Sequence, residues 1–347
     1  MKTKLYNIIF LFTFSLTVYS QQTSIKTDIN YFFDNTEFNR STVNDDQTMT
    51  GTHLQSVLNF RIDSTQSINA GINLLTLAGG IKIIERPSPI AFYNYKKQNM
   101  QLLAGAFPRK NLLDNYSDFF FQDSVINFRP IMHGIFWEVK KNKNRFFNIW
   151  LDWTGMKDSL NNESFFVGSS AQYSINNFYA DFQSYMFHYA YPTTRIPDYY
   201  LCDNLLSQIS LGYKIQNWAW IEKFNISSGI LAGYERERAA VSPIHTPIGF
   251  VAKLEIEHKY IGLQSQLYLG EKRQILYPKY GNRVYWNNSF LRAGNYLETK
   301  LFLKLLNNKS VNARFTLNFH VSEGQLFHEQ LFTVNASVDK LLSKMTK

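Results

Sequence analysis

Cysteine is nearly missing from this 347-residue chain, Cys202 being its one thiol. A lone cysteine closes no internal disulfide, so a disulfide-stapled scaffold is excluded. Long hydrophobic runs are missing as well. The apolar stretch over residues 8–19 falls short of the roughly 20 residues that a bilayer-spanning helix needs, although hydrophobic residues make up 45% of the chain and aromatics 16%. Metal-ligand spacing is lacking too: the seven histidines, His53, His133, His188, His245, His258, His320 and His328, are scattered with no close pairing. Gly-rich phosphate loops and nucleophile elbows are absent, the nearest approach being Leu77-Ala78-Gly79-Gly80. Neither a cofactor nor a metal is therefore expected. The net charge of +9 comes from dispersed lysines and arginines. The short clusters Lys96-Lys97 and 140–145 read as solvated turns, and no nucleic-acid motif accompanies them, so no nucleic-acid partner is expected.

The first residues, Met1-Lys2-Thr3-Lys4, precede the apolar run and then Val18-Tyr19-Ser20-Gln21-Gln22. Basic, apolar and small-residue regions in that order are the pattern of a secretory signal, which places a signal peptide at 1–20 and one mature unit at 21–347.

From Ile25 onward the dominant period is two. Phe315, Leu317, Phe319 and Val321 alternate with Arg314, Thr316, Asn318 and His320. Ile248, Phe250, Ala252, Leu254 and Ile256 lie opposite Gly249, Lys253, Glu255 and Glu257. One face suits lipid and the other water, as in tilted membrane strands. Segments of this kind start near residues 25, 51, 67, 90, 99, 130, 145, 165, 178, 205, 224, 248, 260, 289, 310 and 329. Short connections (63–66, 96–99, 141–144, 175–177, 258–259, 307–309) alternate with long ones (35–50, 77–89, 108–129, 189–204, 235–247, 271–288). Residues 216–223 form a longish turn and 322–328 a short loop. Phe147 with Trp153, and Phe224 with Tyr234, bracket aliphatic residues as interfacial girdles do. The fold expected is all-β: a transmembrane antiparallel barrel of about 16 strands, range 14–18, with a hydrophilic lumen in the cell outer membrane.

The Ser20-Gln21-Gln22 start, the strand and loop rhythm, and Gly105-Ala106-Phe107-Pro108-Arg109-Lys110 resemble the porin-like outer-membrane proteins of the Bacteroidetes type. Where many such barrels end on an aromatic residue, this chain ends Met345-Thr346-Lys347. The resemblance implies a porin-like channel for small hydrophilic solutes or ions, non-enzymatic, surrounded by outer-membrane lipid, with a homo-oligomer as an option. It also implies that the third long loop, 108–129, folds inward, so that Arg109, Lys110, Asp114, Asp118, Asp123 and Arg129 form a pore constriction. Strand parity adds Arg61, Asp152, Lys253, Glu255, Glu257, Glu298, Lys300, Lys304, Arg314 and His320 as lumen-facing charges.

Two other readings stay open. His320-Val321-Ser322 resembles the His-x-Ser element of the outer-membrane phospholipase A family, which implies a lipid hydrolase with His320 activating Ser322. Against it, parity turns both side chains into the lumen, and Glu323 stands where that family has asparagine. The third reading is a non-conducting barrel within a secretion or envelope complex.

Overall fold

The computed structural model describes residues 22–159, 161–190, 196–239 and 242–344; the proposed signal at 1–20 lies outside them. Sixteen strands succeed one another: β1 (Gln22–Glu37), β2 (Gln47–Arg61), β3 (Gln66–Leu77), β4 (Arg86–Lys97), β5 (Met100–Pro108), β6 (Ile131–Asn142), β7 (Arg145–Gly155), β8 (Ser164–Ile175), β9 (Phe178–Tyr189), β10 (Cys202–Trp218), β11 (Ile221–Glu237), β12 (Ile248–His258), β13 (Ile261–Gly270), β14 (Asn295–Asn307), β15 (Val311–Ser322) and β16 (Gln325–Lys344). Each pairs antiparallel with its sequence neighbours, and β1 pairs with β16 from Gln22↔Lys344 to Glu37↔His328, closing the barrel. Closure leaves no edge, so the backbone polar groups of the strands are paired within the wall, as hydrocarbon requires. Among the described residues no helix is long and apolar enough to cross a membrane.

Connections at the end holding the chain termini are short, such as 143–144, 176–177 and 259–260, while those at the other end include 109–130, 190–201 and 271–294. Two details differ from the sequence reading. The turn expected over 216–223 is tight, because Asn217 and Ala219 adopt φ of 55° and 54° and let β10 run directly into β11. The strand expected near 289 begins at Asn295, because Ser289–Ala293 winds into a 3-10 turn that Gly294 ends with φ 83°.

Side-chain alternation sets the two faces. Ile149, Ile226, Ile230, Phe250, Leu301 and Val321 are exposed on the outer wall, and their sequence neighbours Trp150, Leu231, Val251, Phe302 and His320 are buried inside it. Several inward glycines sit beneath inward aromatics of an adjacent strand. A Cβ on Gly168 would lie 2.2 Å from the Trp150 ring, and on Gly262 2.2 Å from Phe302. The missing side chain is what lets these rings lie flat across the inner wall.

The expectation of a hydrophilic lumen is corrected here. Tyr116, Phe119, Phe120, Tyr280, Tyr285 and Phe290, from the connections 109–130 and 271–294, pack with the inward Trp150, Phe166, Tyr185, Phe187, Tyr268 and Tyr296 into one buried aromatic core. Tyr116 donates to the carbonyls of Ser169 (2.9 Å) and Ser184 (3.0 Å), so residues near 116 are pinned deep against β8 and β9. The two connections carry the short helices α1 (Asp123–Phe128) and α2 (Tyr277–Tyr280) above this core. Alternation alone does not disclose the filling, because an aromatic at an inward position has the same period as a polar residue there.

Candidate active site

At the loop end of the barrel, β1, β14, β15 and β16 surround a small polar cavity of about 110 Å³ lined by Asp34, Asp118, Glu298, Lys300, His320 and Glu329, among others. Alternation on β14 sends Tyr296, Glu298 and Lys300 inward, and on β15 it does the same for Asn318 and His320. His320 is 4% exposed. Its Nδ1 lies 2.7 Å from the Tyr296 hydroxyl and its Nε2 3.4 Å from Glu329 Oε2. Phe290 stacks on the imidazole at 4.8 Å, and Phe38 meets it edge-on at 5.1 Å, fixing the ring plane. Asn318 Nδ2 donates to Glu329 Oε2 (2.8 Å) and to Glu298 Oε1 (2.9 Å), while Lys300 Nζ donates to Asp118 Oδ2 (2.6 Å). Glu298 Oε2 and Asn318 Oδ1 are buried with no hydrogen-bond partner. A buried acceptor without a donor is costly in a finished network and is expected where a ligand or water completes the set.

Both imidazole nitrogens are therefore engaged by groups other than Ser322, whose hydroxyl points to the Asn295 carbonyl at 3.5 Å. The His320–Ser322 pairing suggested by the motif is not formed. Glu323 and Gly324, with φ of 55° and 73°, make the tight β15–β16 turn. The Glu323 carboxylate accepts from the Thr42 backbone N–H (3.2 Å) and tethers the first loop.

A polar vestibule of about 970 Å³ adjoins this cavity, sharing Asn44, Asp45, Gln47, Gln122, Ser124 and Ser289 with it. Of the six proposed constriction residues, those with described side chains make separate contacts at different depths of the lumen. Arg109 is buried against Asp152 and its Nε donates to the Arg129 carbonyl at 2.9 Å. Arg129 stands over the Trp286 ring at 5.6 Å. Asp118 joins Lys300, Lys110 Nζ reaches Asn335 Oδ1 at 2.8 Å, and Asp114 accepts from the Asn111 N–H at 3.1 Å. Asp123 opens α1, and its side chain lies outside what is described.

The remaining inward charges pair locally. Glu255 meets Lys223 at 2.5 Å, Glu257 meets Lys304 at 2.6 Å, and Lys253 lies between Val251 and Glu255 on the same face of β12. The Arg314 guanidinium covers Phe302 at 3.6 Å, and Arg61, exposed at the terminus end, donates to Gln22 Oε1 at 2.9 Å. Among the described residues, no group of three or more His, Cys, Asp or Glu is placed to hold a metal ion. The sequence reading missed Glu329, Tyr296 and Asn318. Parity flags all three as inward, but their convergence on His320 depends on the registers Glu298↔His320 and Asn318↔Glu329, which no single strand encodes.

Fold and wall together define an outer-membrane barrel of the porin kind. Similar solved structures include OmpF of Salmonella typhi in complex with daunomycin (10% identity, TM-score 0.53, covering 92% of this chain and 98% of that one). OprD of Pseudomonas aeruginosa (10%, 0.52, 92% and 96%) and an anion-selective porin from Comamonas acidovorans (9%, 0.51, 91% and 98%) are also similar. At such identities the likeness is one of fold. The family model for proteins of the lipid A 3'-O-deacylase type matches residues 16–344, and the chain belongs to that family. Comparison with curated proteins gives no match. The family is one of enzymes, which overturns the expectation of a non-enzymatic barrel.

Proposed function

We propose that this outer-membrane barrel hydrolyses an O-acyl ester of a lipid A-type glycolipid, with His320 as the acid–base group. The observation that carries the reading is membership of the lipid A 3'-O-deacylase-type family across nearly the whole chain. The His320 cluster supplies a chemistry consistent with it. Tyr296 holds Nδ1 at 2.7 Å, whereas Nε2 has only the long 3.4 Å contact with Glu329, and in this reading Nε2 takes the proton of a water attacking the ester carbonyl once that contact opens. Glu329, 3.4 Å from Nε2, stabilises the imidazolium so formed. Lys300 lines the same cavity, and its ammonium, paired there with Asp118, is the positive charge available to a developing oxyanion. The imidazolium then returns its proton to the departing sugar oxygen, leaving a carboxylic acid and an alcohol. Long loops are extracellular in such barrels, so the vestibule, at the loop end, lies on the outer side of the membrane.

The test uses refolded protein in detergent with purified lipid A, following fatty-acid release by mass spectrometry. His320→Ala is expected to lower release by about 10²–10⁴-fold, while heat-modifiable electrophoretic mobility reports an intact barrel. Release unchanged by the substitution would remove His320 from the chemistry.

A second reading, a solute channel, is favoured by the sixteen-strand barrel and its porin neighbours. Ohmic steps in planar bilayers without any ester cleavage would support it over hydrolysis. Small hydrophilic solutes as cargo, a homo-oligomer, the 1–20 signal peptide and a Bacteroidetes source are carried forward as expectations of the sequence.

A further inference from the structure

A second cavity, of about 100 Å³, lies on the opposite stretch of wall, away from His320, where β4, β5, β6 and β7 meet the connection 109–130. Arg86, Arg109 and Arg129 line it together with His133, Asp152 and Trp286. Arg86 enters from the start of β4, Arg109 follows the end of β5, and Arg129 precedes β6, so register brings three sequence-distant guanidinium groups to one place. Asp152 is the one carboxylate in the lining. Its Oδ2 is taken by Arg109 and its Oδ1 accepts from the His133 backbone N–H at 2.9 Å. Arg109 is 5% exposed, and its Nη1 is buried with no hydrogen-bond partner. Among the described residues, neither Arg86 nor Arg129 has a carboxylate within ion-pair distance. Burial, and then the neighbouring Arg86, lower the Arg129 guanidinium from its ordinary value; Asp152 opposes this and Arg109 adds to it. Three guanidinium groups and one carboxylate around a single polar cavity, with one buried donor left over, make the lining an excess of positive charge.

We propose that the Arg86–Arg109–Arg129 cavity is a binding site for a phosphate group. Planar guanidinium donors suit the paired oxygens of a phosphate monoester. Arg109, held in place by Asp152, lines the cavity with Nη1 left over, while Arg86 and Arg129 line both this cavity and the vestibule and so connect the two. The phosphate belongs either to the headgroup of a phosphorylated glycolipid, which rests on the function proposed above, or to free inorganic phosphate, which does not.

The experiment titrates the refolded barrel in detergent with inorganic phosphate by isothermal titration calorimetry, at constant chloride. Saturable one-site binding is expected, weakened about tenfold or more in the double variant Arg86→Ala/Arg129→Ala, since charge-assisted hydrogen bonds are lost. Arg129→Lys should recover part of the affinity. Both variants spare the Arg109–Asp152 pair, and retained heat-modifiable mobility verifies that they fold. Absence of binding, or equal binding by the folded double variant, would overturn the proposal. Hydrolysis of phosphorylated and dephosphorylated lipid A then distinguishes the sources. A higher KM for the dephosphorylated substrate, abolished in the double variant, assigns the site to the headgroup. Phosphate binding without that KM difference assigns it to free phosphate. If no ester is cleaved at all, the titration still reads the site, so failure of the hydrolase reading is separable.

Discussion

Asp152 shows what a single residue does in this wall. Its carboxylate neutralises Arg109, with both partners almost entirely buried. Removing one member of a buried pair strands the other, so Asp152→Asn is expected to cost about 3–5 kcal/mol, read as a lowered denaturation midpoint in urea. An unchanged midpoint would mean that water already reaches Arg109. At the opposite end, Asp63 sits in an exposed turn. The Thr65 N–H first, then the Thr65 hydroxyl and Gln66, hold its carboxyl below the ordinary carboxylate value. A depressed folded value stabilises above the unfolded one and is lost as pH falls through the folded one. Asp63→Asn should therefore reduce stability at neutral pH and converge with the parent in acid. Inward placement of Asp152, Glu298, Lys300 and His320 was legible from parity alone. The Arg109–Asp152 contact was not, because it joins a loop residue to a strand two hairpins away.

At the scale of elements, the strands follow from period two, whereas the two inserted connections do not. Residues 109–122 look like a polar loop with embedded aromatics, and only the inner wall they meet decides that Tyr116, Phe119 and Phe120 are buried. Their partners include glycines that make room for rings. Gly168→Ala would push a methyl into Trp150; we expect about 1–3 kcal/mol of destabilisation from overpacking, with Gly168→Ala/Trp150→Leu recovering part of it. Deleting 112–127 removes a large share of the lumen filling. Planar-bilayer recordings of the deletion are expected to show larger, less selective steps than the parent, and unchanged conductance would mean that the segment does not obstruct passage.

For the whole molecule, closure between β1 and β16 and an apolar outer band define a membrane wall independent of what the interior does. An arginine on that band, as in Ile230→Arg, should cost about 2–4 kcal/mol near the midplane. A wall of the same fold is found in an anion-selective porin, while this chain belongs to an enzyme family, so the wall alone does not separate a pore from an enzyme. Sequence pattern resolves the barrel for this reason, and it keeps a lipid hydrolase only as an alternative resting on His320 and Ser322, because the His320 cluster is assembled from three strands whose individual patterns read as ordinary lumen polarity. The most direct test of the central claim is fatty-acid release from lipid A by the refolded wild-type chain, with conductance recorded on the same preparation. The account predicts stoichiometric release of carboxylic acid with little ionic current. Ohmic conductance with no acid released would contradict it.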